Sequence, residues 1–268
     1  MARVFVDDSG NSNEEPVMYV AGWVGQVPAW EAFTDDWDAT LKASNPKPIR
    51  YFKHSEAVGL FKCFDGFTDA EARSKMLALA EVIARHEVYG VAYAVGRQFY
   101  QRMIGKYAVT LRGRAHKMLE DPFYICMNSL IGYVVGSESV GHPDDKIDFI
   151  FDGKPGSGQA KRLIAMFETS RDFSPEPDIR RLLGSAIPMN DMDVLPLQAA
   201  DLLAGQMRVV VRNQSEDPEP LGLIRRRRFV YAGVVSEEAI RLTINYHNAA
   251  ISTRRLSTIK REREREKK

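Results

Sequence analysis

Cysteine is scarce in this sequence, which has two cysteines among 268 residues. Cys63 and Cys126 share no CxxC spacing and have no neighbouring histidine, which argues against a disulfide framework and against a zinc motif. The five histidines show no HExxH spacing, and no serine stands in a pattern typical of acyl transfer. Hydrolysis through zinc or serine is therefore disfavoured, and we expect both thiols to be reduced and packed.

Long apolar runs are also missing. No stretch approaches the ~18 uninterrupted apolar residues that a membrane helix needs. The first residues do not combine a basic region with an apolar run and a cleavage site. With 44% hydrophobic residues, the chain can still bury a substantial core. We therefore expect a cytoplasmic globular protein with no membrane partner.

The chain has little net charge, +1 in total, but the charge is unevenly distributed. Its last fifteen residues, Arg254–Lys268, include eight basic and three acidic side chains, so the rest of the chain is net acidic. Nucleic-acid binding would then depend on local patches, either this tail or the four arginines Arg225–Arg228. A solvated helix of alternating charge explains the tail equally well. We expect one domain over residues 1–250 and a basic, charged tail over residues 251–268.

Short apolar runs and helical periodicities alternate along the chain. Strands are predicted in the stretches 4–6, 17–24, 87–96, 146–152 and 182–189. Helices are predicted from about Pro28, over 68–86, 98–106, 115–136 and 158–170, and from Leu195. This alternation predicts an α/β fold, a mixed sheet flanked by helices, or its α+β relative.

Aspartates end two of the predicted strands. Asp7 and Asp8 follow the apolar run at 4–6, and Asp152 follows the run "IDFIF". A turn out of the sheet accounts for the first pair by itself. Acids at the ends of separate strands also converge where those strands are neighbours.

A third aspartate, Asp201, lies in the otherwise apolar helix "LQAADLLAGQM". Gln198 precedes it by three residues and so shares its helix face. Burying this carboxylate is costly unless it meets a cation or several donors. Arg208 or Arg212 could supply the cation. If Asp201 instead meets Asp7 and Asp152, the three charges oppose one another, and a divalent cation resolves the repulsion.

Carboxylate oxygens favour Mg²⁺ or Mn²⁺, which leave coordination positions for water and phosphate oxygens. Such ions support phosphodiester hydrolysis by lowering the pKa of an attacking water and by stabilising the leaving oxygen. The residues alone therefore indicate a candidate metal site.

Three stretches, "VFVDDSGN", "DFIFDGK" and "LPLQAADLLAG", resemble the bacterial family called domain of unknown function 3800, which is grouped with the ribonuclease H-like superfamily. The matching positions are Asp7, Ser9, Gly10, Asp152, Gln198 and Asp201. Asp8 stands where the family usually has glutamate, which makes it a further candidate metal ligand beside Asp7, Asp152 and Asp201. The resemblance implies a ribonuclease H-like three-layer fold with helical insertions, an acidic metal cluster and nuclease activity. It also implies that Asp7 and Asp201 hold one magnesium, while Asp152, with Asp7 bridging, holds another.

The segment "KHSE" resembles a family region more loosely. It makes His54 and Glu56 candidates for a supporting ligand or proton shuttle, with a structural role as the alternative. Lys53, Lys154 and Lys161 adjoin candidate site segments and are candidates for binding substrate phosphates, although surface lysines are commonly only solvated.

The leading hypothesis is a metal-dependent nuclease that cleaves DNA or RNA with Mg²⁺ or Mn²⁺. A non-catalytic module of the same fold that binds nucleic acid or supports an assembly is one alternative. A metal-dependent hydrolase of a small nucleotide is another. The sequence leaves the oligomeric state open.

Overall fold

A mixed sheet of six strands lies at the centre of the described structure. The computed structural model describes residues 1–10, 15–108, 117–137, 146–174, 177–213 and 216–249. The strands are β1 (Ala2–Ser9), β2 (Val17–Gln26), β3 (Val88–Gly96), β4 (Ile147–Asp152), β5 (Leu183–Met189) and β6 (Val230–Val234). The predicted α/β class is confirmed.

The strands lie in the order β5-β4-β1-β2-β3-β6. β1, β2 and β3 are antiparallel neighbours, and β1 and β2 form a hairpin. β4 runs parallel to β1, β5 runs parallel to β4, and β6 runs parallel to β3. The carboxyl ends of β1, β4 and β5 therefore meet at one edge of the sheet.

Helices cover both faces of this sheet. They are α1 (Val27–Lys42), α2 (His54–Gly59), α3 (Asp69–Arg85), α4 (Arg97–Tyr107), α5 (Pro122–Gly136), α6 (Gly158–Phe173), α7 (Pro177–Leu182), α8 (Leu195–Asn213), α9 (Glu219–Arg225) and α10 (237–249), with a short 3-10 helix at Lys62–Phe64. None of the described helices is long and apolar enough to cross a membrane.

Alternating side chains of β1 divide the core into two parts. Val4 and Val6 join a cluster that contains residues of α5 and α6. Phe5 faces the other side and packs with residues of α1, α3 and α8. We call this second side the α8 face. Asp7 follows Phe5 by two residues and therefore lies on the α8 face.

Several local predictions are confirmed. The stripe Trp30, Phe33, Trp37 and Leu41 of α1 is buried, as its spacing indicated. Thr68 and Glu71 form a capping box at the start of α3. Both cysteines are free thiols.

Two local predictions need correction. β1 continues to Ser9, so both aspartates belong to the strand and do not form a turn. The helix expected over 115–136 is interrupted in its described part, because α5 begins at Pro122 after the cap Asp121. The tail 251–268, and with it the predicted domain boundary, lies outside the described residues.

Candidate acidic active site

Asp7 and Asp152 lie at the carboxyl ends of two adjacent parallel strands. The register pairs Val6 with Phe151, the residues just before the two acids. Phe5 and Ile150 both pack on the α8 face, so the alternation of each strand directs its aspartate to that same face. The sheet therefore provides the convergence that the sequence only suggested.

Asp201 joins these acids from α8, which packs against β1 and β2. Its carboxylate accepts a hydrogen bond from the backbone N–H of His54 at 2.5 Å. Arg208, one of the cations considered from the sequence, forms its ion pair with Glu15 at 2.6 Å. Because Arg208 is paired with Glu15, the contact that holds the Asp201 carboxylate is the His54 N–H.

The pKa values show how closely the acids interact. Burial raises the pKa of Asp7 well above 3.8, and the charges of Asp201, Asp8 and Asp152 raise it further, against the lowering effect of Lys53. Burial raises the pKa of Asp201 to about 6, although the His54 hydrogen bond opposes the shift. Burial and the charge of Asp191 also raise the pKa of Asp152. Burial is thus the largest cause of each raised pKa, and the neighbouring carboxylates add to it.

A fourth acid, Asp191, belongs to this site and was missed in the sequence analysis. Its backbone N–H donates to Asp152 Oδ1 at 3.2 Å, and its carboxylate accepts from Lys53 Nζ at 2.5 Å. A signal was present, because Asp191 follows the predicted strand at 182–189 by two residues, much as Asp152 ends its own strand.

Lys53 is the cation within the cluster. Besides its bond to Asp191, its Nζ lies 3.6 Å from Asp152 Oδ2. Burial lowers the pKa of Lys53, but the hydrogen bond and charge of Asp191 and the charges of Asp7 and Asp152 leave it raised above 10.5. Lys53 is therefore charged across the physiological range.

Gln198 organises the segments around the acids. Its side-chain NH₂ donates to the Asp191 carbonyl at 2.9 Å. Its oxygen accepts from the Phe52 N–H and from Trp37 Nε1, both at 3.0 Å. The supporting role expected of Gln198 thus takes the form of a buried hydrogen-bonded junction between α1, α8 and the segments carrying Lys53 and Asp191.

His54 and Glu56 have mainly structural contacts. The His54 ring lies 3.0 Å from Gln206 through Nε2, and burial followed by the charge of Arg208 lowers its pKa to about 4. Glu56 accepts hydrogen bonds from Tyr51 and Lys62. Through its backbone, His54 orients Asp201, while Glu56 ties together its own loop.

Asp8 points to the opposite face of the sheet from Asp7. It lines a cavity of about 380 Å³ together with Tyr100, Phe123 and Leu163, which belong to the core on that side. Its backbone N–H nevertheless donates to Asp7 Oδ1 at 2.7 Å. The structure therefore places the Asp8 carboxylate on the opposite face of the sheet, and Asp8 contributes to the site through its backbone N–H and through its charge, which raises the pKa of Asp7.

The remaining candidates stand at or after the ends of the strands that carry Asp7 and Asp152. Ser9 ends β1 opposite Tyr19. Lys154 is exposed in the turn after Asp152, and Lys161 is exposed in the first turn of α6. Neither lysine takes the place of Lys53 inside the acidic cluster.

The donors suit a divalent cation in chemistry and charge, because they are hard carboxylate oxygens whose mutual repulsion such an ion would relieve. The geometry is not a closed coordination set. Among the described residues, no three His, Cys, Asp or Glu side chains are grouped so as to hold a metal ion. Asp7, Asp152 and Asp201 are the residues whose carboxylates would hold such an ion.

Compared with known proteins, the chain matches no family model and no curated sequence. The resemblance to the domain of unknown function 3800 family therefore stays a prediction from its three motifs. What the structure defines is a class: an α/β protein with buried acids at the carboxyl edge of a mixed sheet.

Proposed function

We propose that this protein is a metal-dependent nuclease that hydrolyses phosphodiester bonds of DNA or RNA with Mg²⁺ or Mn²⁺. One observation carries the proposal: Asp7, Asp152 and Asp201 come from two adjacent strand ends and a covering helix, and each has a raised pKa. Acids whose charges oppose one another reduce stability, and functional sites are where such groups are commonly found.

The proposal includes a ribonuclease H-like fold. Its support is a sheet in which three consecutive antiparallel strands adjoin two strands parallel to β1, with helices on both faces. The first strand and the fourth then bring their aspartates side by side, as an acidic metal site on this fold requires.

Asp7, Asp152 and Asp201 are the residues that would hold the cation. A bound divalent cation would supply charge for the scissile phosphate and lower the pKa of the attacking water. His54 holds Asp201 through its backbone N–H, and Gln198 holds the Asp191 segment. Lys154 and Lys161, which are exposed in the segment that follows Asp152, are the proposed contacts to more distant phosphates of a nucleic-acid substrate.

The test combines metal binding with hydrolysis. Mn²⁺ is titrated calorimetrically into wild-type protein and into Asp7→Asn, Asp152→Asn and Asp201→Asn, each checked for folding by circular dichroism. Cleavage of single- and double-stranded DNA and RNA is then measured with each variant. We expect all three substitutions to weaken Mn²⁺ binding and to abolish cleavage.

Asp148→Asn is the matched control, because Asp148 lies on β4 four residues before Asp152 and its oxygen accepts from the Ser185 N–H, which asparagine preserves. This variant should bind and cleave as wild type does. Retained cleavage in the three site variants would overturn the proposal.

The alternative functions give different outcomes in the same assays. Cleavage of mononucleotides but not of polymers would favour a small-nucleotide hydrolase. Salt-dependent nucleic-acid binding that is lost on deleting residues 254–268 and is unaffected by the aspartate substitutions would favour a non-catalytic binding module.

A further inference from the structure

Lys53 differs from the other candidate lysines because its ammonium lies among the acids. Its side chain is 34% exposed, and the Asp191 carboxylate that it contacts at 2.5 Å is 5% exposed. The second contact, 3.6 Å to Asp152, adds one of the proposed metal ligands. An ammonium held this way is not free to follow a substrate phosphate.

The positions of the contacts divide the cluster into two halves. The Lys53 ammonium forms ion pairs with Asp191 at 2.5 Å and with Asp152 at 3.6 Å, and among the described residues it forms none with Asp7 or Asp201. Its ion pairs therefore lie in the half formed by Asp152 and Asp191, although its charge also acts on the other two acids. The half formed by Asp7 and Asp201 is the one that the ammonium does not contact.

Charge balance leads to the same division. Apart from Asp8 on the opposite face of the sheet, the four aspartates Asp7, Asp152, Asp191 and Asp201 carry four negative charges when ionised, and Lys53 offsets one of them. One divalent cation offsets two more and leaves the cluster slightly negative. A second divalent cation would have to bind beside the Lys53 ammonium and share Asp152 with it, where the two positive charges repel.

We propose that Lys53 takes the place of a second divalent cation, so that the site binds one metal ion, held chiefly by Asp7 and Asp201. This inference rests on the proposed function and replaces the expectation, from the family resemblance, of a second ion between Asp152 and Asp7. Lys53 would then offer its positive charge on the Asp152 side of the scissile phosphate.

The test is the stoichiometry of Mn²⁺ binding, which does not depend on activity. Bound Mn²⁺ is counted by calorimetry and by electron paramagnetic resonance of the free ion, in wild type, Lys53→Met and Lys53→Arg. We expect one ion per chain in wild type and in Lys53→Arg. In Lys53→Met we expect two, because Asp152 and Asp191 lose their ammonium.

Lys42→Met is the control for loss of a lysine, because Lys42 pairs with Asp38 on the surface of α1 and is 73% exposed. It should bind one ion, as wild type does. If Lys53→Met does not fold, Lys53→Gln takes its place. The number of ions bound by wild type also tests the inference without any variant.

The outcomes separate this inference from the function on which it rests. Two ions in wild type, or one ion in folded Lys53→Met or Lys53→Gln, would overturn the role of Lys53 and leave the metal-dependent nuclease intact. No bound ion in any variant, together with no cleavage, would overturn both.

Discussion

The side-chain NH₂ of Gln198 donates to the backbone carbonyl of Asp191 at 2.9 Å, across seven residues of sequence. The same side chain accepts hydrogen bonds from Phe52 and Trp37. Gln198 itself is fully buried, so no water replaces these partners if it is removed. Gln198 therefore fixes the Asp191 backbone from the α8 side, in addition to the contacts of Asp191 with Asp152 and Lys53.

Gln198→Leu should lower the free energy of unfolding by about 2–4 kcal/mol. The N–H groups of Phe52 and Trp37 and the Asp191 carbonyl each lose a buried partner, at about 1–3 kcal/mol each, and partial relaxation of the structure reduces the sum. Urea denaturation followed by tryptophan fluorescence measures the change. Gln101→Leu on the exposed surface of α4 is the control and should stay within about 0.5 kcal/mol. Equal effects of the two substitutions on the free energy of unfolding would contradict the role of Gln198 as a hydrogen-bonded junction.

Asp201→Asn should stabilise the metal-free protein at pH 8 by up to about 3 kcal/mol. Burial raises the folded pKa of Asp201 to about 6, above its ordinary value of 3.8, so the folded state binds more protons than the unfolded state between these values. Wild-type stability therefore falls as pH rises through this window, whereas asparagine does not titrate.

Thermal and urea unfolding in EDTA between pH 4 and pH 8 test this expectation. The two proteins should be nearly equal near pH 4 and should diverge towards pH 8. Asparagine retains an oxygen that can accept from the His54 N–H. A variant less stable than wild type at pH 8 would show that the ionised carboxylate is stabilised by the protein.

Gly205→Ala should disturb the site from within α8. A β-carbon at this position would lie 2.2 Å from His54 Cγ, so the buried ring must move. The His54 backbone holds Asp201, and overpacking of this kind typically costs about 1–3 kcal/mol. Loss of stability should be accompanied by weaker Mn²⁺ binding in calorimetry.

Gly132→Ala in α5 is the matched control, because a β-carbon there meets nothing within 4 Å. Alanine should raise the free energy of unfolding by up to about 1 kcal/mol through its better helix propensity. Similar destabilisation by both substitutions would argue against the specific clash with His54.

Lys75→Met should destabilise the end of α1. Lys75 is fully buried, and its Nζ donates to the carbonyls of Thr40 and Ala43 at 3.0 and 3.1 Å. Without the ammonium these carbonyls lose a buried donor, at about 1–3 kcal/mol. Lys42→Met removes an exposed lysine from the last turn of the same helix and should change stability little. Comparable denaturation midpoints for Lys75→Met and wild type would show that the Lys75 ammonium does not stabilise the carbonyls at the end of α1.

Arg225–Arg228, the basic run singled out as a nucleic-acid patch, is largely committed to contacts within the protein. Arg225 pairs with Asp217 and Arg227 with Glu81. Arg228 donates to the carbonyls of Ala84 and Arg85 at the end of α3. Composition alone did not reveal these partners, because three of them lie more than 140 residues away in sequence.

β6 illustrates a different limit on prediction. Its five residues, "VYAGV", pair in parallel with β3, whose sequence lies far upstream. A five-residue edge strand has little periodicity of its own, so its existence depends on the exposed edge of β3. The longer strands and the capped helix α3 carry enough local signal to be predicted.

The sequence by itself determined the alternation of strands and helices, the buried stripe of α1, and the identity of three of the four clustered acids. Those features arise from residue spacing and strand ends, which are local. Only the tertiary structure decided that β1 and β4 are neighbours, that Asp8 faces away from Asp7, and that Lys53 and Asp191 join the cluster. The physical reason is that strand order and ion pairs across 138 residues depend on packing of the whole chain.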